Sequence, residues 1–264
     1  MSERPIARAF GAARSAGRAA LIPYYTAGYP TRAACLDALR GAAAAGADVV
    51  EVGIPFSDPL ADGPTIQRST QTALEQGMTV AGVLQLVREA GLDIPVVLMT
   101  YVNPVLAYGV ERFAADARAA GVAGALFTDL PAGAAPELEH AVATAELDLI
   151  RLVAPTTTDE RLAVAVAGAG GFIYLISRLG VTGAGPDAPA DLDRHVRRLR
   201  RVTRLPIAVG FGIGTPAQAA AAARWADGVV VGSALVDALG GGGLVAARRL
   251  LEGLAGALAT RGAA

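Results

Sequence analysis

The feature that most constrains the fold is a repeated alternation of short apolar runs with alanine-rich segments of helical period. This alternation is the pattern of successive βα units. Right-handed βα crossovers place consecutive strands side by side in one parallel sheet, and eight such units close into a barrel. The eight predicted strands are residues 20–25, 49–54, 96–100, 124–128, 147–153, 172–176, 207–209 and 228–231.

The chain length agrees with one barrel of this kind. The 264 residues are close to the roughly 250 of a typical (β/α)8 barrel. We therefore predict an α/β fold, a single-domain (β/α)8 TIM barrel over residues 1–264, with an extra N-terminal helix at residues 6–16. Active sites of such barrels lie at the C-terminal ends of the strands. The two longest predicted loops follow the second and sixth strands, and long loops are often functional.

Charge and hydropathy exclude several classes of protein. The 23 basic and 24 acidic residues nearly cancel, so we expect neither nucleic acid nor a membrane surface as a partner. No apolar run approaches the roughly 18 residues of a membrane span, and residues 1–20 lack the apolar segment of a secretory signal. The only cysteine, Cys35, excludes an internal disulfide. These features predict a cytoplasmic protein.

The chain contains no lysine, because all 23 basic residues are arginine. Schiff-base chemistry needs a lysine amine, so a lysine-dependent aldolase and a covalent pyridoxal phosphate enzyme are excluded. The two histidines, His140 and His195, are far apart in sequence and have no cysteine nearby. We therefore expect no metal-ligand cluster and no Ser-His-Asp triad. Carboxylates, tyrosines and backbone donors remain for chemistry.

Residues 49–65, VVEVGIPFSDPLADGPT, place an acid inside an apolar strand. If its register points Glu51 into the barrel, burial would raise its pKa and make it a general acid or base near neutral pH. Glu51 is equally consistent with a structural carboxylate paired with a hydroxyl or an arginine. Asp62, in the loop that follows, is also consistent with a simple turn, because Asp-Gly commonly marks one.

Glycine-rich segments follow the seventh and eighth strands, at residues 210–216 and 231–234. Glycines let backbone N–H groups approach a ligand closely, and a helix that begins near Ser233 would direct its positive end at an anion. Barrels of this kind often bind phosphate in these two loops. The glycines alternatively only turn the chain, but their presence after both strands favours phosphate. Residues 180–185, GVTGAG, are a candidate lid after the sixth strand.

The segment EVGIPFSDPLADGPTIQ (residues 51–67) closely resembles the signature of tryptophan synthase alpha chains. The other matching segments are PYYTAGYP (23–30), YLISRLGVTGA (174–184), GFGI (210–213) and VGSALV (231–236). They extend from the first strand to the eighth, so the resemblance covers nearly the whole chain. It implies a lyase of L-tryptophan biosynthesis that cleaves indole-3-glycerol phosphate to indole and glyceraldehyde 3-phosphate without a metal or organic cofactor.

The resemblance also implies roles for individual residues. Glu51 is expected to protonate indole C3 and then to act as base for the glycerol hydroxyl, while Asp62 accepts the indole N–H. The substrate-binding residues implied are Tyr24, Leu98, Met99, Tyr101, Tyr174 and Thr182. The phosphate-binding residues implied are Gly183, Gly212, Gly232 and Ser233. Tyr24 stands where many relatives have phenylalanine, and Leu179 adds bulk to the lid, so both departures concern the tuning of the reaction.

A partner is implied as well. Alpha chains of the family pair with a pyridoxal phosphate beta chain in an alpha-beta-beta-alpha heterotetramer, which residues 55–64 and the loop after the sixth strand are expected to contact. Three alternatives remain open: a stand-alone lyase that releases free indole, a non-catalytic activator of a beta chain, and another phosphate-binding barrel such as a sugar-phosphate isomerase. The presence of both Glu51 and Asp62 argues against the non-catalytic activator.

Overall fold

The computed structural model describes residues 4–176, 191–210 and 212–259 of the chain. Within these ranges, parallel strands form one closed barrel in which each strand pairs with the next and β8 pairs with β1. The predicted α/β barrel is thereby confirmed. The strands are β1 (Ala20–Thr26), β2 (Val50–Gly53), β3 (Val96–Thr100), β4 (Val122–Phe127), β5 (Asp148–Val153), β6 (Ile173–Ile176), β7 (Ile207–Gly210) and β8 (Gly228–Val231).

Helices cover the outside of the barrel, except for α1, which precedes the first strand. The helices are α1 (Pro5–Ser15), α2 (Arg32–Ala44), α3 (Pro64–Glu75), α4 (Val80–Ala90), α5 (Val102–Tyr108), α6 (Val110–Ala119), α7 (Pro136–Thr144), α8 (Asp159–Ala165), α9 (Leu192–Arg200), α10 (Pro216–Ala223) and α11 (Ser233–Ala259). Among the described residues, none of these helices has the length and apolar character needed to cross a membrane.

The strands are buried on both faces, and alternation along each strand decides which face a side chain occupies. On β2, Val50 and Val52 pack against the surrounding helices, whereas Val49, just before the strand, packs in the barrel interior. On β3, Val97 packs in the interior and Leu98 packs against the helices. The residues that follow Val49 and Val97 by two positions therefore also face the interior.

Helix α1 closes the end of the barrel where the strands begin. Ile6 and Phe10 are buried in the interior cluster, and the Phe10 ring lies 5.4 Å from the ring of Phe172. Beside them, Arg4 donates a 2.7 Å hydrogen bond to Oδ1 of the buried Asp148. The predicted N-terminal helix is confirmed, and its apolar face is explained by this contact with the barrel floor.

The connection after β7 is fixed by a capping box at the start of α10. The Thr215 side chain accepts the Gln218 N–H over 3.2 Å. In return, Oε1 of Gln218 accepts the N–H groups of Gly214 and Thr215 at 2.9 and 3.1 Å. Such a box satisfies backbone donors that the first turn of a helix leaves unpaired, so it also shapes the glycine-rich loop that precedes it.

Two helices contain residues that are rare inside helices. In α5, Pro104 lies in the first turn, where the missing N–H costs no hydrogen bond. In α11, Gly243, with φ 68° and ψ −165°, separates two helical stretches. In the first of these stretches, a Cβ at Gly240 would lie 2.0 Å from the Tyr29 hydroxyl oxygen, so glycine lets the helix pack closely against Tyr29.

Candidate active site

Glu51 lies in the wall of the barrel interior, where the strand alternation places it. It pairs in register with Tyr24 of β1 and Val97 of β3. The side chain is buried, with 1% of its surface exposed. Its Oε1 atom is buried and has no hydrogen-bond partner among the described residues. The reading of Glu51 as a structural carboxylate paired with an arginine or a hydroxyl is therefore not supported at this oxygen.

Burial raises the pKa of Glu51 to about 8, and the nearby charge of Asp62 contributes to the same direction. Desolvation and a neighbouring negative charge both disfavour the ionised form of a carboxyl. At neutral pH, Glu51 is therefore mainly protonated and able to donate a proton. Its pKa is also close enough to neutrality for the carboxylate to take a proton back.

Asp62 lies at the mouth of the barrel, in the loop between β2 and α3. The loop turns tightly here, because the Asp62 N–H donates to the carbonyl of Pro59 over 3.0 Å and Gln67 donates to the Asp62 carbonyl over 2.9 Å. This turn has Leu60 and Ala61 at its centre and ends at Asp62, so it precedes the Asp-Gly pair, and Gly63 instead caps α3. The Asp62 side chain is nevertheless buried, so the same residue has both a turn backbone and a carboxylate within the site.

Tyr101, which follows β3, fixes both the side chain and the backbone of this loop. Its hydroxyl donates to Oδ2 of Asp62 over 3.1 Å and accepts the N–H of Ala61 over 2.9 Å. Burial raises the pKa of Asp62 to about 6, and the hydrogen bond from Tyr101 partly opposes this rise. Asp62 is therefore mainly ionised at neutral pH, while Glu51 is mainly protonated.

Tyr24 on β1 and Tyr174 on β6 pack against glycines of their neighbouring strands. A Cβ at Gly53 would lie 2.0 Å from the Tyr24 hydroxyl oxygen, and a Cβ at Gly210 would lie 2.0 Å from that of Tyr174. Glycine is required at both positions for steric reasons. Burial, followed by the charges of the site carboxylates, raises the pKa of each phenol well above its usual value. Both hydroxyls therefore keep their hydrogen at neutral pH.

The two neighbouring apolar residues expected in the substrate pocket lie on opposite sides of the sheet. Met99 packs beside Tyr24 and Ile66 and faces the interior. Leu98 packs in the cluster between the strands and the helices and is fully buried there. The expectation that Leu98 binds substrate is therefore wrong. Alternation along β3 turns every second side chain outward, and the pocket side of this strand belongs to Val97 and Met99.

Sequence reasoning missed two hydroxyl residues next to Tyr24. Thr26 donates to the Tyr24 hydroxyl oxygen over 3.3 Å, and Thr26 Oγ1 lies 2.7 Å from Oγ of Ser69 on α3. Thr26 follows Tyr24 by two positions, so its position on the same face of β1 was readable from the sequence. Ser69 was not readable, because 43 residues separate it from Thr26 and only the closed fold brings them together.

The described part of the predicted phosphate site lies at the ends of β7 and β8. Gly212 has φ +85°, a conformation that glycine adopts without strain. Gly232 precedes Ser233, the first residue of α11, and the Gly232 carbonyl accepts the N–H groups of residues 235 and 236. The first N–H groups of a helix have no partner within it, so they are available to an anion. A Cβ at Gly214 would lie 2.9 Å from Ala234, which shows how closely the two loops approach.

Thr182 and Gly183, together with the whole candidate lid at residues 180–185, lie outside the described residues. Across residues 4–176, 191–210 and 212–259, no three His, Cys, Asp or Glu side chains come together in a group that could hold a metal ion. The described residues bring Glu51, Asp62 and the tyrosines Tyr24, Tyr101 and Tyr174 to the same end of the barrel. Such an arrangement can donate a proton from one carboxyl and stabilise a positive charge with the other.

Comparison with known proteins agrees with this geometry. A family model described as tryptophan synthase alpha chain matches residues 10–252. The tryptophan synthase alpha chain of Acidiphilium cryptum is 51% identical over 240 residues, which are 90% of this chain and 87% of the relative. That of a Caulobacter species is also 51% identical, with the same coverage of each chain.

Solved structures give the same result. A chain of tryptophan synthase from Mycobacterium tuberculosis has a TM-score of 0.91 and 42% identity, covering 97% of this chain and 99% of that one. The tryptophan synthase alpha chain from Legionella pneumophila has a TM-score of 0.89 and 33% identity, covering both chains completely. The resemblance read from the motifs is confirmed: the chain belongs to the tryptophan synthase alpha chain family.

Proposed function

We propose that this chain cleaves indole-3-glycerol phosphate to indole and glyceraldehyde 3-phosphate, with Glu51 and Asp62 as its acid–base pair. The observation that carries the proposal is that the barrel buries two carboxyls in one site, Glu51 without a partner at Oε1 and Asp62 bonded to Tyr101. Their pKa values of about 8 and about 6 leave Glu51 protonated and Asp62 ionised between these pH values. Membership of the tryptophan synthase alpha chain family supports the choice of substrate.

Glu51 moves the proton that makes the indole a leaving group. Its carboxyl donates a proton to indole C3, which converts the ring to a positively charged indolenine-like state. The resulting carboxylate then takes the proton of the hydroxyl on the adjacent glycerol carbon. The C3–C3′ electron pair remains with the indole ring, the aldehyde of glyceraldehyde 3-phosphate forms, and Glu51 ends the cycle protonated.

Asp62 stabilises the charge that this proton transfer creates. As a carboxylate, it accepts the indole N–H and lowers the energy of the positively charged ring. Tyr101 occupies Oδ2 of Asp62, which leaves the other oxygen to the substrate. The Asp62 carboxylate is already in place in a site with little water. It therefore stabilises the transition state without a rearrangement of protein or solvent during the reaction.

The substrate pocket and the phosphate site complete the assignment. We assign the indole to the space bounded by Tyr24, Met99 and Tyr174, which are inward-facing residues beside Glu51. We assign the phosphate to Gly212, Gly232 and Ser233, with Thr182 and Gly183 expected to contribute from the loop after β6. The support for the phosphate site is the helix N-terminus at Ser233, a general binding site for anions.

The partner proposed is a tryptophan synthase beta chain, in an alpha-beta-beta-alpha heterotetramer. Membership of the tryptophan synthase alpha chain family supports this partner, and we propose the loop after β2, whose Leu60 is 93% exposed, as the surface that contacts it. This loop and α3 border a groove of about 710 Å3. The loop also carries Asp62, so a chain that binds to it can alter the position of the carboxylate.

We also propose that the protein acts in the cytoplasm. Cys35 is a free and fully buried thiol, and burial raises its pKa to about 11. A free thiol fits a reducing compartment. Fractionation of host cells should recover the chain with cytoplasmic enzymes; recovery from the periplasm or from culture medium would contradict this assignment.

Indole release from indole-3-glycerol phosphate tests the proposed function. The purified chain should release indole, and Glu51→Gln should reduce kcat by about 100-fold or more, as expected for loss of a general acid. The variant should still bind inorganic phosphate as the wild type does. Unchanged turnover in Glu51→Gln would contradict the mechanism, and no cleavage with or without a beta chain would favour another phosphate-binding barrel. High turnover without a beta chain would favour the stand-alone lyase.

A further inference from the structure

Helices α3 and α11 are joined side by side where the loops after β2 and β8 enter them. Val236 of α11 packs in one buried cluster with Ile66 of α3 and Tyr24 of β1. The residues next to this contact are also bonded, because the Thr65 hydroxyl of α3 donates to Oδ2 of Asp237 of α11 over 3.1 Å. The two helices therefore share an apolar contact and a hydrogen bond at the same level.

Arg68 completes this bridge from α3. Its Nη2 lies 3.6 Å from Oδ1 of Asp237 and donates to Oγ1 of Thr65 over 3.2 Å. A carboxylate only accepts and a guanidinium only donates, so the threonine hydroxyl receives one bond and gives the other. The Arg68 and Asp237 side chains are more than half exposed, so their ion pair adds little stability. The bridge instead fixes the position of one helix relative to the other.

On α11, the bridge lies one turn from the end assigned to phosphate. Ser233 begins the helix, and Asp237 follows it by four residues, which places both on the same side of α11 about 6 Å apart along its axis. An anion held by the first N–H groups of α11 fixes the first turn of this helix. Because a helix is stiff over one turn, Asp237 is fixed with it.

On α3, the bridge lies next to the backbone of Asp62. Thr65 is the second residue of α3 and follows Asp62 by three positions. The Gln67 side chain donates to the Asp62 carbonyl over 2.9 Å, and the Gln67 N–H donates to the Gly63 carbonyl over 3.0 Å. The first turn of α3 is therefore bonded to the residue that carries the site carboxylate.

We propose that Asp237 is a positioning residue: by binding Thr65, it joins the phosphate-binding end of α11 to the segment that carries Asp62. The inference rests on the proposed function, because it uses the assigned phosphate site and the assigned role of Asp62. A phosphate on α11 then orders the Asp62 segment, and the ordered segment in turn favours phosphate binding. The phosphate of the substrate thereby prepares the carboxylate that acts on the indole.

Amide hydrogen exchange of the full chain, measured by NMR with and without saturating inorganic phosphate, tests this coupling. The amides of Ala61, Asp62 and Gln67 are suitable reporters, because each donates a hydrogen bond in this segment. Phosphate should slow their exchange in the wild type by about 3-fold or more, within the range seen for coupled positions. The chemical shift of the Ser233 amide reports phosphate binding independently.

Two substitutions break the bridge from opposite helices. Thr65→Val and Asp237→Ala should each abolish the slowing, while the Ser233 amide still responds to phosphate. The double variant should show no further loss, because both changes remove the same bond.

Thr65→Ser keeps the hydroxyl and should keep the slowing. Glu252→Ala is the matched control, because Glu252 is an exposed acid of α11 that pairs with Arg248 of the same helix over 2.7 Å. This variant should behave as the wild type does. In turnover, both bridge-breaking variants should lower kcat by about 3-fold or more, and Thr65→Ser should retain the wild-type value.

Two results would overturn the inference: equal slowing in the wild type and in both bridge-breaking variants, or no slowing in a wild type whose Ser233 amide responds to phosphate. A Ser233 amide that does not respond would overturn the proposed phosphate site and the coupling with it. A chain that shows the coupling but releases no indole would overturn the proposed reaction alone.

Discussion

The hydroxyl of Tyr101 donates to Oδ2 of Asp62 over 3.1 Å and also accepts the N–H of Ala61 over 2.9 Å. One side chain after β3 therefore holds both the carboxylate and the backbone of the loop that carries it. The link joins two elements of the site that are far apart in sequence. It explains why a carboxylate on a turn-rich loop can have a defined position.

Tyr101→Phe should shift the acidic limb of the kcat/KM profile to higher pH. The substitution removes a donor that lowers the pKa of Asp62, so that pKa should rise above about 6. We expect a shift of about one unit, as for loss of a hydrogen bond to a carboxylate. The control is Tyr108→Phe, which removes a hydroxyl that donates to Asp116 over 2.7 Å away from the site. An acidic limb that stays in place in Tyr101→Phe would contradict this role.

Asp62→Asn should lower the pKa of Glu51. The charge of Asp62 helps to raise the pKa of Glu51 to about 8, so removing the charge should lower that pKa. Carboxyl NMR of the ligand-free protein measures the change directly, and turnover should fall because the indole N–H loses its charged acceptor. Asp58→Asn changes an exposed acid of the same loop and should leave Glu51 unaffected. A Glu51 pKa that rises in Asp62→Asn would be inconsistent with the assigned coupling.

Glu51 should also make the stability of the fold depend on pH. Its pKa is raised from 4.5 to about 8 in the folded state, so the folded protein retains a proton that the unfolded chain releases. The free energy of unfolding should therefore decrease as pH rises from about 4.5 to about 8. Urea titrations at several pH values should show that Glu51→Gln lacks this part of the decrease. Parallel curves for both proteins would count against a buried, protonated Glu51.

Gly210→Ala should destabilise the protein through overpacking. Its Cβ would lie 2.0 Å from the Tyr174 hydroxyl oxygen, and overpacking of a filled core costs about 1–3 kcal/mol. Activity should fall as well, because the tyrosine has to move. Gly11→Ala is the control, since nothing lies within 4 Å of a Cβ there and alanine favours the helix. Denaturant midpoints measure both, and equal midpoints for wild type and Gly210→Ala would refute the steric requirement.

The barrel was predictable from the sequence because apolar strand segments alternate with helical segments along the chain. Each βα unit is also formed by residues that are close together in sequence. The inward position of Glu51 was conditional on the register of β2, because apolar residues occupy both faces of that strand. The structure supplies the register, in which Glu51 pairs with Tyr24 and Val97.

The side of the sheet on which Leu98 lies follows from the alternation of side chains along β3, whereas the resemblance implied a substrate contact for it. The contacts of Asp62 with Tyr101 and of Thr26 with Ser69 were not predictable, because closure of the barrel creates them.

Helix α1 limits the routes by which ligands can reach the site. Among the described residues, Ile6 and Phe10 close the barrel at the end where the strands begin, so we expect ligands to reach the interior from the opposite end. Substrate, indole and glyceraldehyde 3-phosphate must all pass the mouth that Asp62 and its loop border. Substrate entry and product release therefore use the same opening, and a partner bound there would receive the indole before it reaches solvent.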